Sequence, residues 1–244
     1  MKRLALVFAL AAGCGAPADP NGKTLHDLEA ATRALDRAVG VQTAFVTTGN
    51  IDTGATPAII AAAILNRVQS EAAGCVMATA SDATVHADFG AGCALATASM
   101  HAGGSVDATV APDPAGGVDV TLALAVTVDG EALAGSFVVT TPNGNAFGYA
   151  GTLTLDGTTV TTPLLNAGIA AGGATVDAAH ATANGSALTL AALHERFAAC
   201  YPDGGSATLG TLGVTFASDT PQTGSVTLST TKTSTLPARA GCPK

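Results

Sequence analysis

The stretch VDVTLALAVTV, residues 118–128, alternates Val118, Val120, Leu122, Leu124, Val126 and Val128 with Asp119, Thr121, Ala123, Ala125 and Thr127. Alternation with a period of two puts the larger apolar side chains on one face of a strand and the small or polar ones on the other. Such a strand is half-buried, as in an antiparallel sheet with one wet face. Asp129-Gly130 follows at once, a dipeptide that supplies the positive φ angles of a tight hairpin turn.

The same grammar extends in both directions. Strands are expected at 75–80, 83–89, 104–111, 118–128, 131–141, 147–155, 158–162, 174–183, 186–193, 205–217 and 223–231. Turn chemistry separates them at Ser81-Asp82, Pro112-Asp113-Pro114, Asp156-Gly157, Asn184-Gly185 and Pro202-Asp203-Gly204-Gly205. Strands joined by such short turns are antiparallel neighbours. The expected fold class is mainly β, an antiparallel meander preceded by two amphipathic helices. Curved sheet, sandwich and half-barrel all stay open. Lys232 and Pro237 are the residues suited to blunting an edge.

Upstream of residue 75 the period becomes helical. Thr24 is a candidate N-cap with Asp27 three residues on, and Leu25, Leu28, Thr32, Leu35 and Val39 form one apolar stripe. Glu29 and Arg33 sit four apart on the other side, with Gly40 as the expected stop. A second helix starts at Thr56-Pro57, buries Ile60, Ala61, Ile64, Leu65, Val68 and Ala72, and ends by Gly74. The domain plan is therefore 1–13, 14–23 as a tether, a helical segment at 24–74 and a β domain at 75–244.

Composition narrows the partners. Hydrophobic residues make up 48% of the chain and mean hydropathy is +0.40, which excludes disorder for most of it. There is no Trp, and small Ala and Val dominate, so stability must come from many strands and from cross-links. The formal net charge is −8, and no Lys or Arg occurs between Arg67 and Arg196. Nucleic acid is excluded as a partner, because phosphate backbones need clustered cations.

The first residues carry an address. Lys2 and Arg3 precede an apolar run at 4–12, too short to span a bilayer but suited to a cleavable leader, and Ala11-Ala12-Gly13 puts small residues before Cys14. Residues 15–23, GAPADPNGK, suit a flexible tether. The arrangement resembles the lipobox of bacterial lipoproteins, with Ala11 where Leu is common. That resemblance implies lipidation of Cys14, attachment to a membrane of the cell envelope and, with Gly15 next, delivery to the outer membrane. Setting Cys14 aside leaves four cysteines, which permit three connectivities. The favoured pairs are Cys75–Cys93, flanking a short hairpin, and Cys200–Cys242, pinning the C-terminal tail. No C-x-x-C spacing occurs, which argues against zinc.

A second resemblance covers residues 75–141. Cys75, the run Asp88-Phe89-Gly90-Ala91-Gly92-Cys93, and Asp129-Gly130 followed by Leu133-Ala134-Gly135-Ser136 are similar to a pattern in exported β-rich bacterial proteins. It implies an extracytoplasmic antiparallel sheet and carries no activity.

Candidate chemistry is sparse. His86 and Asp88 share a strand face and could supply two metal ligands, with His101 or His180 as a distant third; the alternative is that Asp88 bonds backbone at the Gly90–Gly92 turn. His194-Glu195 lacks the second His of a zincin, since position 198 is Ala. LAALHERFAAC, residues 190–200, reads as a short helical or irregular crossover in which Arg196 pairs locally. Ser105, Ser136, Ser186, Ser206 and Ser225 follow glycines without forming G-x-S-x-G. Asp113, Asp129, Asp156 and Asp203 neighbour Gly or Pro and are assigned to turns. No catalytic residue, metal or cofactor is expected.

Three functions compete. The first is a non-catalytic, membrane-anchored envelope lipoprotein with a structural or protein-binding role. The second is a carrier of a lipid or other apolar ligand in a half-open barrel. The third is a hydrolase with a scattered site.

Overall fold

The structure, a computed structural model, describes residues 21–47, 51–114, 116–141, 146–170, 172–197 and 199–239. Two helices, α1 (Gly22–Thr43) and α2 (Pro57–Glu71), precede fourteen strands. These are β1 (Met77–Ser81), β2 (Thr84–Asp88), β3 (Cys93–Leu95), β4 (Met100–Pro112), β5 (Val118–Val128), β6 (Glu131–Thr140) and β7 (Ala146–Leu155). There follow β8 (Thr158–Ala170), β9 (Gly173–Ala183), β10 (Ser186–Arg196), β11 (Gly204–Leu209), β12 (Leu212–Thr215), β13 (Ser225–Leu228) and β14 (Thr233–Thr235). A four-residue helical turn, α3 (Thr220–Thr223), lies between β12 and β13.

The meander is one continuous antiparallel sheet in sequence order, open, with β1 and β14 at its ends. The exception is β3, which pairs with the start of β4 while β2 pairs with its second half. In β5 the six Val and Leu side chains are buried and the intervening residues are not, as the alternation requires. Asp82, Asp129, Asp156 and Asn184 adopt positive φ at the hairpin tips.

Several boundaries differ from the sequence reading. The stretch 205–217 is two strands, because Gly210 turns the chain at φ +60°. β3 and β14 are three residues each, too short to display a period. β8 continues to Ala170 through Pro163, where the pairing with β7 shifts register between Tyr149 and Gly151. A proline without an N–H is tolerated inside a sheet at such a bulge. The 190–200 segment is strand as far as Arg196, again through a bulge, where Ala192 has φ +46° and its N–H donates to Asp177 Oδ1 at 2.7 Å. Bulges bend the strands that carry them, which is how an open sheet curls.

The curl encloses α1. This helix packs on β6, β7, β8, β9 and β11, and it is buried on all sides from Leu28 onward. The expected single stripe is therefore a correction: the other side of α1 faces protein, not water. Gly40 does not stop the helix. A Cβ there would lie 2.6 Å from Met100 Sδ and Cε, so glycine serves close packing within the helix. α2 keeps the expected amphipathic form, burying Ile60, Ala61, Ile64 and Val68 against β1, β2 and β4. Both helices and the inner face of the sheet form one core. Among the described residues no helix is long and apolar enough to cross a membrane.

Candidate functional site

Enclosing α1 places charged side chains where a curled sheet would otherwise hold apolar ones. Glu29 and Arg33, expected four apart on the side away from the apolar stripe, are 2% and 6% exposed and 3.4 Å apart. Arg33 also reaches Glu131 at the start of β6 and, at 3.5 Å, Asp156 in the β7–β8 turn. One turn further along, Arg37 Nη1 lies 3.1 Å from Asp129 in the β5–β6 turn. Asp129 and Asp156 thus shape their hairpins and also meet the arginines of the helix from the exposed turns. A seam of ions joins α1 to successive turns. Burying the α1 charges, Glu29, Arg33 and Arg37, costs several kcal/mol each before pairing. A helix rotated out of register would leave its arginines against Val and Leu, so the seam fixes how α1 sits in the sheet.

Deeper still lies a pair of acids. Asp36 on α1 and Glu195 on β10 are hydrogen-bonded to each other inside the protein. Burial raises both above the usual carboxylate range, and Glu195 more strongly because the Asp36 carboxyl lies against it; Arg37 and Arg239 pull the other way. Two carboxylates in contact cannot both ionise at low cost, so the pair shares one proton.

Arg239 comes from the segment after β14. Its Nε donates to Glu29 Oε1, and its guanidinium carbon lies 4.7 Å over the Tyr201 ring. Tyr201 in turn donates its hydroxyl to Pro237 O at 2.7 Å. Burial raises the Tyr201 phenol, against the opposing field of Arg239. Elsewhere on α1, Gln42 accepts from the Tyr149 hydroxyl of β7 at 2.5 Å and donates to Val46 O. Burial pushes the Tyr149 phenol well up.

The residues singled out from sequence are not brought together. His86 Nδ1 meets Asp107 of β4 at 2.7 Å rather than a metal partner, and both are exposed. Asp88 accepts the Gly90 N–H at 2.8 Å, the turn role offered as its alternative. His194 and Arg196 both bond Asp203, Arg196 Nε at 2.6 Å, which is the expected local pairing. Burial raises Asp203, but the hydrogen bonds from His194 and Arg196 outweigh it and hold the carboxyl below its usual value. Among the described residues no group of three or more His, Cys, Asp or Glu side chains could hold a metal. Cys75 and Cys93 are joined as expected. Cys200 is disulfide-bonded, while Cys14 and Cys242 lie outside the described residues.

The interior seam was missed, yet the sequence carries two signals of it. The polar side of α1 is padded with Ala30, Ala31, Ala34 and Ala38, small residues that admit close neighbours on every side. The long stretch without Lys or Arg also leaves the sheet's acids to find cations outside it. Comparisons with protein-family models, curated proteins and solved structures find no match for this chain.

Proposed function

We propose that the chain is a non-catalytic, membrane-anchored envelope module, fastened by a lipid on Cys14 after loss of residues 1–13, with a structural or protein-binding role for its β body. The observation that carries this reading is that α1 occupies the concave face of the sheet, the place where a carrier holds its cargo. The apolar cavity left between α1 and β6–β8, lined by Leu35, Val39, Phe137, Tyr149, Leu153 and Leu165, measures about 10 Å³. That is room for one water. The Cys75–Cys93 cross-link fits an oxidising compartment outside the cytosol.

Metabolic labelling with palmitate tests the anchor: the natural chain takes up label and Cys14→Ala does not. Labelling that persists in the variant overturns the anchor. Native mass spectrometry of the detergent-extracted protein tests the role of the body. A mass with no lipid beyond the covalent anchor supports the module, and a stoichiometric non-covalent lipid replaces it with the carrier.

A further inference from the structure

An open sheet has two ends, and this one finishes them differently. β14 is three residues long, with Lys232 just before it and Pro237 just after. A charge and a proline beside a short strand discourage further pairing. β1, Met77-Ala78-Thr79-Ala80-Ser81, carries neither, and its register with β2 runs without a bulge. All of its residues except Ala78 are exposed, and Met77, at 70%, is the most exposed large apolar side chain among the described residues. The ladder tells which backbone groups point away from the sheet. Ala83 O accepts from Val110 N–H, and Phe89 N–H donates to Gly104 O, so the odd-numbered residues along β2 bond β4. Neighbours on the two sides of an antiparallel strand are bonded by alternate residues. Thr84, His86 and Asp88 therefore bond Ser81, Thr79 and Met77. That leaves the N–H and C=O groups of Ala78 and Ala80 directed outward, where no strand among the described residues meets them.

The strand is also close to a palindrome about Thr79. Two copies laid antiparallel across a two-fold axis at Thr79 set Ala78 of each against Ala80 of the other, the pairs that exchange backbone hydrogen bonds. Thr79 then meets Thr79, a favourable cross-strand pair, and each Met77 gains cover from the opposing Ser81. In a chain of net charge −8 this joint brings no like charges together. β1 holds no charge, and the exposed residues of α2, the helix packed beside it, are Ala58, Ile59, Ala62, Asn66, Gln69 and Ser70.

We propose that β1 is a docking strand through which the chain pairs with a second copy of itself, joining two sheets into one across a two-fold axis. It rests on the fold alone and holds whether or not Cys14 carries a lipid. The test follows amide hydrogen exchange of the full chain at about 10 µM and about 1 mM, a span suited to so short a joint. The expected result is several-fold slower exchange at Ala78 and Ala80 at the higher concentration, with Thr79, already bonded to β2, little changed. Thr79→Lys, at an exposed position, sets two ammonium groups face to face on the axis and abolishes the slowing. Ala80→Pro removes an outward N–H without touching the β2 ladder. It brings the sedimentation mass at the higher concentration back toward a single chain and leaves the urea midpoint of the dilute chain in place. Exchange at Ala78 and Ala80 that ignores concentration overturns the proposal, and so does slowing that survives Thr79→Lys. Protection already complete at the lower concentration, and unchanged by either variant, assigns the edge to a contact within one chain and overturns it too.

Discussion

Gly151 and Gly40 show how much a single hydrogen in place of a methyl can mean. A Cβ on Gly151 of β7 would lie 2.3 Å from Ser136 O and 2.5 Å from Phe137 Cα, both backbone atoms of β6 that cannot step aside. Gly151→Ala is expected to cost about 3 kcal/mol in urea unfolding. Gly40→Ala meets instead the flexible end of Met100, and it gains the helix propensity that glycine lacks, so its net effect is within about 1 kcal/mol. Equal costs at the two positions would contradict this account. Glu195 governs a pH effect. An isolated Glu titrates near ~4.3, whereas burial beside Asp36 raises it well above that in the folded chain. Between those values the folded state binds more protons than the unfolded, so this pair's contribution to stability falls as pH rises. Glu195→Gln donates to Asp36 without a titrating proton, and its Tm should fall less between pH 5 and pH 9 than that of the natural chain. Asp203 acts in the opposite sense: its carboxyl is held low, so its contribution is lost only as pH falls through that lowered value.

Among the elements, α1 and β7 are joined by a buried hydrogen bond from Tyr149 to Gln42. Tyr149→Phe leaves the Gln42 oxygen buried without its donor, and the expected cost is about 1–2 kcal/mol. The double variant Gln42→Leu with Tyr149→Phe removes both partners of this bond but leaves Val46 O without its Gln42 donor, so its cost should be less than the sum of the two single variants. A double-mutant cycle in urea reads the coupling, and strict additivity would refute it. This contact also marks where sequence reading stops. The strands were legible because Val118 to Val128 alternates cleanly and because Asp129-Gly130, Asp156-Gly157 and Asn184-Gly185 announce their turns through local chemistry. α2 was legible for the same reason: its period, cap and Pro57 all lie within the helix. The depth of α1 was not. Its charged residues look solvent-facing until the sheet supplies Asp129, Glu131 and Asp156, and those partners are set by how the strands curl. Curl depends on bulges at Pro163 and Ala192, and of these only the proline leaves a mark in the sequence. The pairing of Asp36 with Glu195 and of Glu29 with Arg239 is likewise a product of the wrapped fold, invisible at the range of a helix turn.

At the scale of the whole molecule, stability rests on a core of small side chains stiffened by cross-links. Cys75 and Cys93 close a loop of 18 residues, whose loss is expected to cost about 3 kcal/mol in the chain-entropy account. Comparing urea midpoints of the natural chain and of Cys75→Ser with Cys93→Ser measures it, and an unchanged midpoint would show that α2 and β3 are held by packing alone. The molecule is also built inside out along its sequence. α1 comes before every strand that surrounds it, up to β11, and its last ionic partner arrives with Arg239. At roughly 5–20 residues per second a ribosome needs on the order of 10 s to deliver that wrapping. Until β6–β11 emerge, the apolar stripe of α1 and its arginines both lack the partners they meet in the folded chain. The N-terminal helix is therefore the first element made and among the last to be fully housed.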